Sequence, residues 1–393
     1  MPEDPLIRRL LLPELMFVQT THKPRSGTMH VWTKKESQSE VCPRCASESR
    51  SVYDTRTIKL KDEPLRDKHV WLHIRKRRFM CKPCGKPFTE PVPGVHKGAR
   101  STQRYRRSLL WACERFSDLS AVRRQYRCSF GFIYKVLYEQ LELKRRHKLR
   151  PWPKVVGIDE HFFRHSEGFR QFVSMIVDFK GKRLLELVQG RTVGELKAAL
   201  NDIPGRDNVL YVAMDLCEPF RSFAHDFFPQ ATIVADHFHV VRLLHPAINR
   251  RRKLITGDKR SALIRRLLLR NGSTLKQHER WAVDMWLEQY PELAEVDRAK
   301  EALHALYRTR GQARAAAAFT AMTDRFATST VPEIQTLRRT LMRWRKEILA
   351  YFAVPLTNAR TEGFNNKAKL VKRRGYGYRS FRNYRLRLLH ACS

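Results

Sequence analysis

The chain has 393 residues, with 77 Lys plus Arg against 39 Asp plus Glu and a formal net charge of +38. That excess is far beyond what solubility needs and implies a polyanionic partner, nucleic acid before any other. With no run of about 18 apolar residues and no signal-peptide pattern, we expect no membrane partner and a soluble cytoplasmic protein of two or three domains. The opening "MPEDPLIRRLLLPELMF" has an apolar patch, but Pro and acidic residues break it.

Two C-x-x-C pairs come first, Cys42/Cys45 in "CPRC" and Cys81/Cys84 in "CKPC". Thiolates two apart on a tight turn can share one tetrahedral Zn2+, and two such turns complete a four-sulfur site. The gap between the pairs has room for a strand or two, as in a zinc ribbon. Disulfides fit poorly with a basic chain lacking a signal sequence. The basic, strand-like "WLHIRKRRFMC" between the pairs reads as a solvated strand face or as a phosphate contact.

Residues 100–145 read as helical, with Ser101 as a possible N-cap. A short helix at about 118–126, a break at Arg127–Ser129 and a second helix at about 130–141 make a helix-turn-helix pattern, or else an ordinary helical hairpin. Tyr134 and Lys135 are its candidate DNA-reading residues. "KRRHKLRPWPK" reads as a basic linker or an arm along a phosphate backbone.

Strands follow. "KVVGIDEHFF" is a buried strand ending in Asp159 and Glu160, and "FRQFVSMIVD" and "KRLLELVQG" form a hairpin with Asp178 as a turn residue. "TVGELKAALNDI" is a helix capped by Thr192 and Glu195. "NVLYVAMDL" is a strand ending at Asp215, "EPFRSFAHDFF" a helix, and "ATIVADHFHV" a strand ending at Asp236, with a long helix from about His239. This order describes a mixed sheet with helices packed on it. Asp159 and Asp215 would end central strands and converge, and two bare carboxylates there repel unless a cation such as Mg2+ or Mn2+ sits between them. Asp236 is a competing candidate. Residues 245–350 read as helices whose aromatic and Leu residues form core.

Several blocks make the chain similar to transposases of the ISL-three family of bacterial insertion sequences, in the DDE group. These are the paired cysteine motifs, the helix-turn-helix, "VVGIDEHFF", "AMDLCEPFRSFAHDFFPQATIVADHFHVVRLL" and "LTNARTEGFNNKAKLVKRRGYGYRSFRNYRLRLL". The resemblance implies a multidomain α+β chain: a zinc-ribbon region at 1–98, a helix-turn-helix DNA-binding domain at 99–145, a linker at 146–153, and an RNase H-like α/β catalytic domain at 154–393 with an all-helical insertion at about 245–350. Three acidic residues would hold two metal ions; by position they are Asp159, Asp215 and Glu362, with Asp236 as the alternative to Asp215. The implied reaction is cleavage and strand transfer of DNA phosphodiesters. One ion would activate water and later the freed 3′-hydroxyl, and the other would stabilise the leaving oxygen.

Glu362 is the sole acidic residue after Glu347, in a segment crowded with Lys and Arg. From "TEGFNNK" alone it reads better as a capping or solvated glutamate; the resemblance implies instead a third ligand placed where phosphates pass, with Lys367, Lys369, Lys372, Arg373 and Arg374 gripping the strand around it. Asn358, Asn365 and Asn366 could hydrogen-bond a ligand or the backbone. The expected partners are double-stranded DNA, as terminal inverted repeats and target on the bacterial nucleoid, and a second copy of the chain, since two element ends must be brought together. A transposase-derived DNA-binding regulator with an idle carboxylate site is the alternative. An RNA-binding structural protein fits the charge but leaves the carboxylates unexplained.

Overall fold

In the computed structural model of the chain, residues 12–65, 68–115, 118–147, 150–166, 169–256 and 263–393 are described; the opening apolar patch falls largely on residues 1–11, outside them. The chain divides into two compact units, Met1–Leu143 and Lys144–Ser393.

The first unit is built on strands β1 (Leu15–Lys23), β2 (Thr28–Lys35), β5 (Val52–Leu65), β6 (Lys68–Cys81) and β7 (Lys86–Thr89), with a small hairpin of β3 (Glu40–Val41) and β4 (Glu48–Ser49). The main sheet runs β1-β2-β6-β5, and β7 also pairs with β6. Strand alternation puts Val31, Leu60, Val70, Leu72 and Ile74 into one apolar cluster on one face. The two strands before the cysteines were not legible, because β1 is exposed along most of its length and ends in polar "TTHK".

Three helices follow: α1 (Gln103–Arg115), α2 (Leu119–Tyr126) and α3 (Phe130–His147). Thr102, rather than the expected Ser101, caps α1 by accepting the Tyr105 N–H at 3.2 Å. Asp118 caps α2 through the N–H groups of Ser120 and Ala121. The turn to α3 lacks a glycine; Arg127 takes the left-handed conformation there, at φ 43°. The third helix outruns the expected end at 141 and reaches His147.

In the second unit, β8 (Val155–Ser166), β9 (Phe169–Asp178) and β10 (Arg183–Gln189) form an antiparallel meander. Helix α4 (Val193–Leu200), with the expected Thr192/Glu195 capping box, leads to β11 (Tyr211–Met214). Helix α5 (Glu218–Phe227) then leads to β12 (Thr232–Ala235). The sheet order is β10-β9-β8-β11-β12, with β11 parallel to both β8 and β12. Instead of one long helix from His239, a short α6 (His237–Val241) precedes α7 (His245–Thr256).

One face of this sheet packs Val156, Ile158, Val212, Met214 and Ile233 against the helices that follow, with Leu293, Leu303, Phe319, Leu341 and Trp344 in the same core. Those helices are α8 (Leu263–Leu268), α9 (Gln277–Glu288), α10 (Pro291–Arg308), α11 (Gln312–Ala327), α12 (Pro332–Arg343) and α13 (Arg345–Ala350). The other face packs Val173, Met175, Val177 and Ala213 against α14 (Ala359–Arg374) and α15 (Phe381–Ala391) through Phe364, Ala368, Tyr384 and Leu388. Trp152, in the expected linker, is buried edge-on against Phe227 and Phe228, so that stretch is fastened to the second unit.

Candidate active site

The register of three parallel strands sets the site. Met214, the last residue of β11, pairs with Ile158 on β8 and with Ala235 on β12. The next residue on each strand is an aspartate, so Asp159, Asp215 and Asp236 form a row one step beyond the last pairs. Alternation along each strand turns all three toward the face that packs α14, because their neighbours Ile158, Met214 and Ala235 belong to the opposite core. Asp159 does not end its strand as the sequence suggested. It pairs with Met175 in mid-strand, and only the edge shared with β11 stops before it. The longer β9 partner sustains β8 up to Ser166.

Helix α14 supplies amides to this row. The Asn365 side chain donates to Asp159 Oδ2 at 2.5 Å. The Asn358 side chain donates to Asp215 Oδ1 at 3.1 Å and to the Ile158 carbonyl at 3.2 Å, and its backbone N–H donates to Asp236 Oδ1 at 2.9 Å. Thr361 donates to Asn358 Oδ1 and fixes that amide's orientation. Gly157 lets the helix approach: a Cβ there would meet the Thr361 hydroxyl at 2.8 Å and the Phe179 ring at 2.3 Å. The sequence showed these asparagines as polar helix residues but not which acids they reach.

Charge is unevenly held. Burial, and then the neighbouring charge of Asp215, pushes the Asp159 carboxyl up to about 8. His239 Nδ1 lies 3.0 Å from Asp215 Oδ1 and 2.9 Å from Asp236 Oδ2, and those hydrogen bonds push its imidazole up to about 10. Burial pushes Asp236 up, but the hydrogen bonds from His239 and the Asn358 N–H outweigh it and hold the carboxyl below its ordinary value. Asp236 is buried to 2% and spends both oxygens on these partners, whereas the Asp215 side chain is 19% exposed. His239 carries no signal in the sequence beyond its spacing from Asp236.

Ligand atoms of Asp215, Asp236 and His239 all lie within 4.8 Å of one another. Asp159, Asp215 and Glu362 form no such group among the described residues. Glu362 is exposed in the first turn of α14, and its carboxylate has no ion pair there among the described residues. Helical spacing nonetheless places it on the stripe of Asn358 and Asn365, the two residues that touch the aspartates. The carboxylates of Asp159 and Asp215 are hard oxygen donors of the kind that fit Mg2+ or Mn2+, and a cation between them would relieve their repulsion.

Of the expected phosphate-gripping residues, Lys367, Lys369, Arg373 and Arg374 are exposed on α14. Lys372 is not free: its ammonium donates to the Phe162 carbonyl at 2.5 Å and lies over the Phe162 ring, which anchors α14 to β8. In the first unit Tyr134 and Lys135 are exposed on α3, while Ile133, Val136 and Leu137 between and beside them are buried.

The four cysteines converge. Cys42 Sγ is 3.7 Å from Cys84 Sγ, and Cys45 Sγ is 3.4 Å from Cys81 Sγ. These are too long for disulfides and near the ~3.8 Å edge of a ZnS4 tetrahedron with Zn–S of about 2.3 Å. Hydrogen bonds from Ser47 pull the Cys45 thiol down to about 6. The Cys84 N–H lowers Cys81, but burial and the neighbouring thiols outweigh it and push Cys81 up to about 12. Four thiols so disposed can all ionise only around a cation.

Among the described residues no helix is long and apolar enough to cross a membrane. Residues 38–84 match a family model described as the zinc-finger of transposase IS204/IS1001/IS1096/IS1165. Residues 156–388 match the ISL3 family model, described as Transposase. A curated relative, the transposase for insertion sequence element IS1001 of Bordetella parapertussis, is 27% identical over 366 residues, covering 90% of this chain and 88% of the relative. The matched span runs from the strand that carries Asp159 through the helix that carries Glu362, and the chain belongs to the ISL3 family of transposases.

Proposed function

We propose that this transposase binds the ends of its insertion sequence and cleaves and rejoins DNA phosphodiesters at the aspartate row, with Asp159, Asp215 and Glu362 as metal ligands. The carrying observation is the register that sets Asp159 beside Asp215 with their carboxylates repelling. The sheet order β10-β9-β8-β11-β12, three antiparallel strands followed by two parallel ones, supports an RNase H-like reading of the unit. The α2–turn–α3 arrangement supports a helix-turn-helix whose exposed Tyr134 and Lys135 read base edges.

Divalent ions bound here would activate an attacking oxygen and stabilise a leaving one. The chain's own residues prepare that chemistry. Asn365 and Asn358 fix the directions of the Asp159 and Asp215 carboxylates. Asp236 holds the start of α14, which presents Glu362 on the same stripe, so we assign Asp236 a positioning role. His239 closes the Asp215–Asp236 gap with positive charge. Lys369, Arg373 and Arg374 attract phosphate toward the helix.

The test is incubation of the purified protein with labelled duplex carrying the element end, with Mg2+ or with EDTA. Cleavage in Mg2+ alone, lost in Asp159→Ala, supports the reading. Tight end binding without cleavage by folded wild-type protein would replace it with the regulator.

A further inference from the structure

The strand "WLHIRKRRFMC" lies at the middle of the first unit's sheet, and its outward face has no role in the site above. We infer that this face of β1-β2-β6-β5 is a docking surface for duplex DNA, on which Lys34, Lys59 and Arg75 take backbone phosphates. The inference rests on the reading of the chain as a DNA-acting transposase but assigns a surface that reading does not need.

Register and alternation define the face. Lys59 pairs with His73 and Lys61 with Trp71 across β5/β6, while Trp32 pairs with His73 and Lys34 with Arg75 across β2/β6. The alternate residues Ile58, Leu60, Leu72 and Ile74 go to the opposite, apolar face. Along the outward face, Gln19, Thr21 and Lys23 of β1, His30, Trp32 and Lys34 of β2, Thr57, Lys59 and Lys61 of β5, and Trp71, His73 and Arg75 of β6 include no acid.

Two features point to an anion. Lys34 and Arg75 are direct cross-strand partners, both exposed, and among the described residues neither has a carboxylate partner. Like charges so opposed weaken a sheet unless something negative lies over them. The face is also stiff. The Lys59 ammonium sits over the Trp71 ring at 4.4 Å, and Trp32 stacks on His73 at 4.4 Å with planes 9° apart. His30 Nδ1 lies 2.8 Å from His73 Nε2. Burial first, and the charge of Lys59 behind it, hold both imidazoles below their ordinary value.

The aromatic packing selects duplex over single strand. Single-strand binders offer open rings on which bases stack. Here Trp71 is covered by Lys59 and Lys61, and Trp32 is flanked by His30 and His73. The Lys61 ammonium donates to the Arg127 carbonyl, so what remains presented is led by Lys34, Lys59 and Arg75, on a patch about 13 Å long and about 14 Å across from strand rise and spacing. That patch suits a few consecutive phosphates and reads no bases.

The experiment uses full-length, zinc-loaded protein and a fluorescent random-sequence duplex of about 40 base pairs, titrated across salt concentrations. The triple variant Lys34→Ala/Lys59→Ala/Arg75→Ala should flatten the plot of log affinity against log salt by about 2.7, and each single variant by about 0.9. Lys34→Arg/Lys59→Arg should keep the wild-type slope. Circular dichroism and zinc content establish folding, and the single variants carry the test if the triple variant fails it. A slope unchanged in folded single variants overturns the inference. So does a loss confined to a single-stranded DNA or RNA-duplex arm of the same length. A wild-type protein that binds no duplex at all fails the transposase reading instead.

Discussion

Asn365 donates its side-chain amide to Asp159 at 2.5 Å across 206 residues of sequence, and its own Oδ1 is buried without a hydrogen-bond partner among the described residues. The amide thus holds one oxygen of the carboxylate, while the Glu160 N–H holds the other at 2.7 Å. Removing it frees Asp159 to turn. Asn365→Ala should lower cleavage by about 10- to 100-fold, the usual cost of losing a partner that orients a ligand, with duplex affinity unchanged. Parallel cleavage and binding assays check this; equal loss in both would make Asn365 a DNA contact.

Asp159 gives a pH prediction. Its folded value of about 8 stands above the ordinary 3.8. The acid form is favoured by folding, so the stability this group contributes is full below about pH 4 and is lost as pH rises through 8. Without divalent ions, Asp159→Asn should melt above wild type at pH 9, and the gap should vanish near pH 4. Saturating Mg2+ should raise the wild-type melting temperature and leave the variant's nearly unchanged.

The two competing aspartates separate by stability. Asp215→Ala should abolish cleavage and leave melting little changed, because the residue is partly exposed and anchors no backbone group. Asp236→Ala should lower the melting temperature as well, since it leaves the buried Asn358 N–H unsatisfied at a cost of about 1–3 kcal/mol. Full activity in Asp236→Ala would remove its positioning role. Full activity in Asp215→Ala would remove Asp215 from the ligand set.

Cys42→Ser or Cys84→Ser should release zinc and unfold the ribbon while the second unit's melting is retained. Elemental analysis of purified protein should find zinc in the wild type and less than half as much in either variant; a zinc-free, folded wild type refutes the site.

Tyr134→Ala and Lys135→Ala should keep their fold, since both side chains are exposed, and should narrow the gap between element end and random duplex by about 1–3 kcal/mol. On α14, Arg373→Ala should lower affinity for both duplexes alike and flatten the salt slope by about 0.9. Lys372→Ala should lower stability instead, because its ammonium is spent on the Phe162 carbonyl. Competition binding and thermal melts together decide each case.

The apolar runs before Asp159 and Asp215 made those residues legible, because a continuous hydrophobic strand must be central. The row itself was not, because register between strands far apart in sequence leaves no local mark; only pairing shows Asp236 beside Asp215. Local chemistry misled at Ser101, since Thr102 has the same capping oxygen one residue on; the break at Arg127–Ser129 falls where the sequence put it, with Arg127 taking a backbone conformation usually left to glycine. Lys372 looked like its neighbours because composition cannot show which lysine of a basic helix reaches a strand carbonyl.

The amides that hold the aspartates arrive late. Asn358 follows its partner Asp215 by 143 residues, and a ribosome adding roughly 5–20 residues per second needs on the order of ten to thirty seconds to cross that distance. Through that interval the growing protein has completed its zinc-binding end but has no helix to lay across its acids. A message cut short anywhere in the helical stretch yields a product with both strand aspartates and neither asparagine. On the proposed reading such a product, lacking Asn358, Glu362 and Asn365 alike, would carry its strand aspartates with no third ligand and no amide to hold them, and would cleave no DNA.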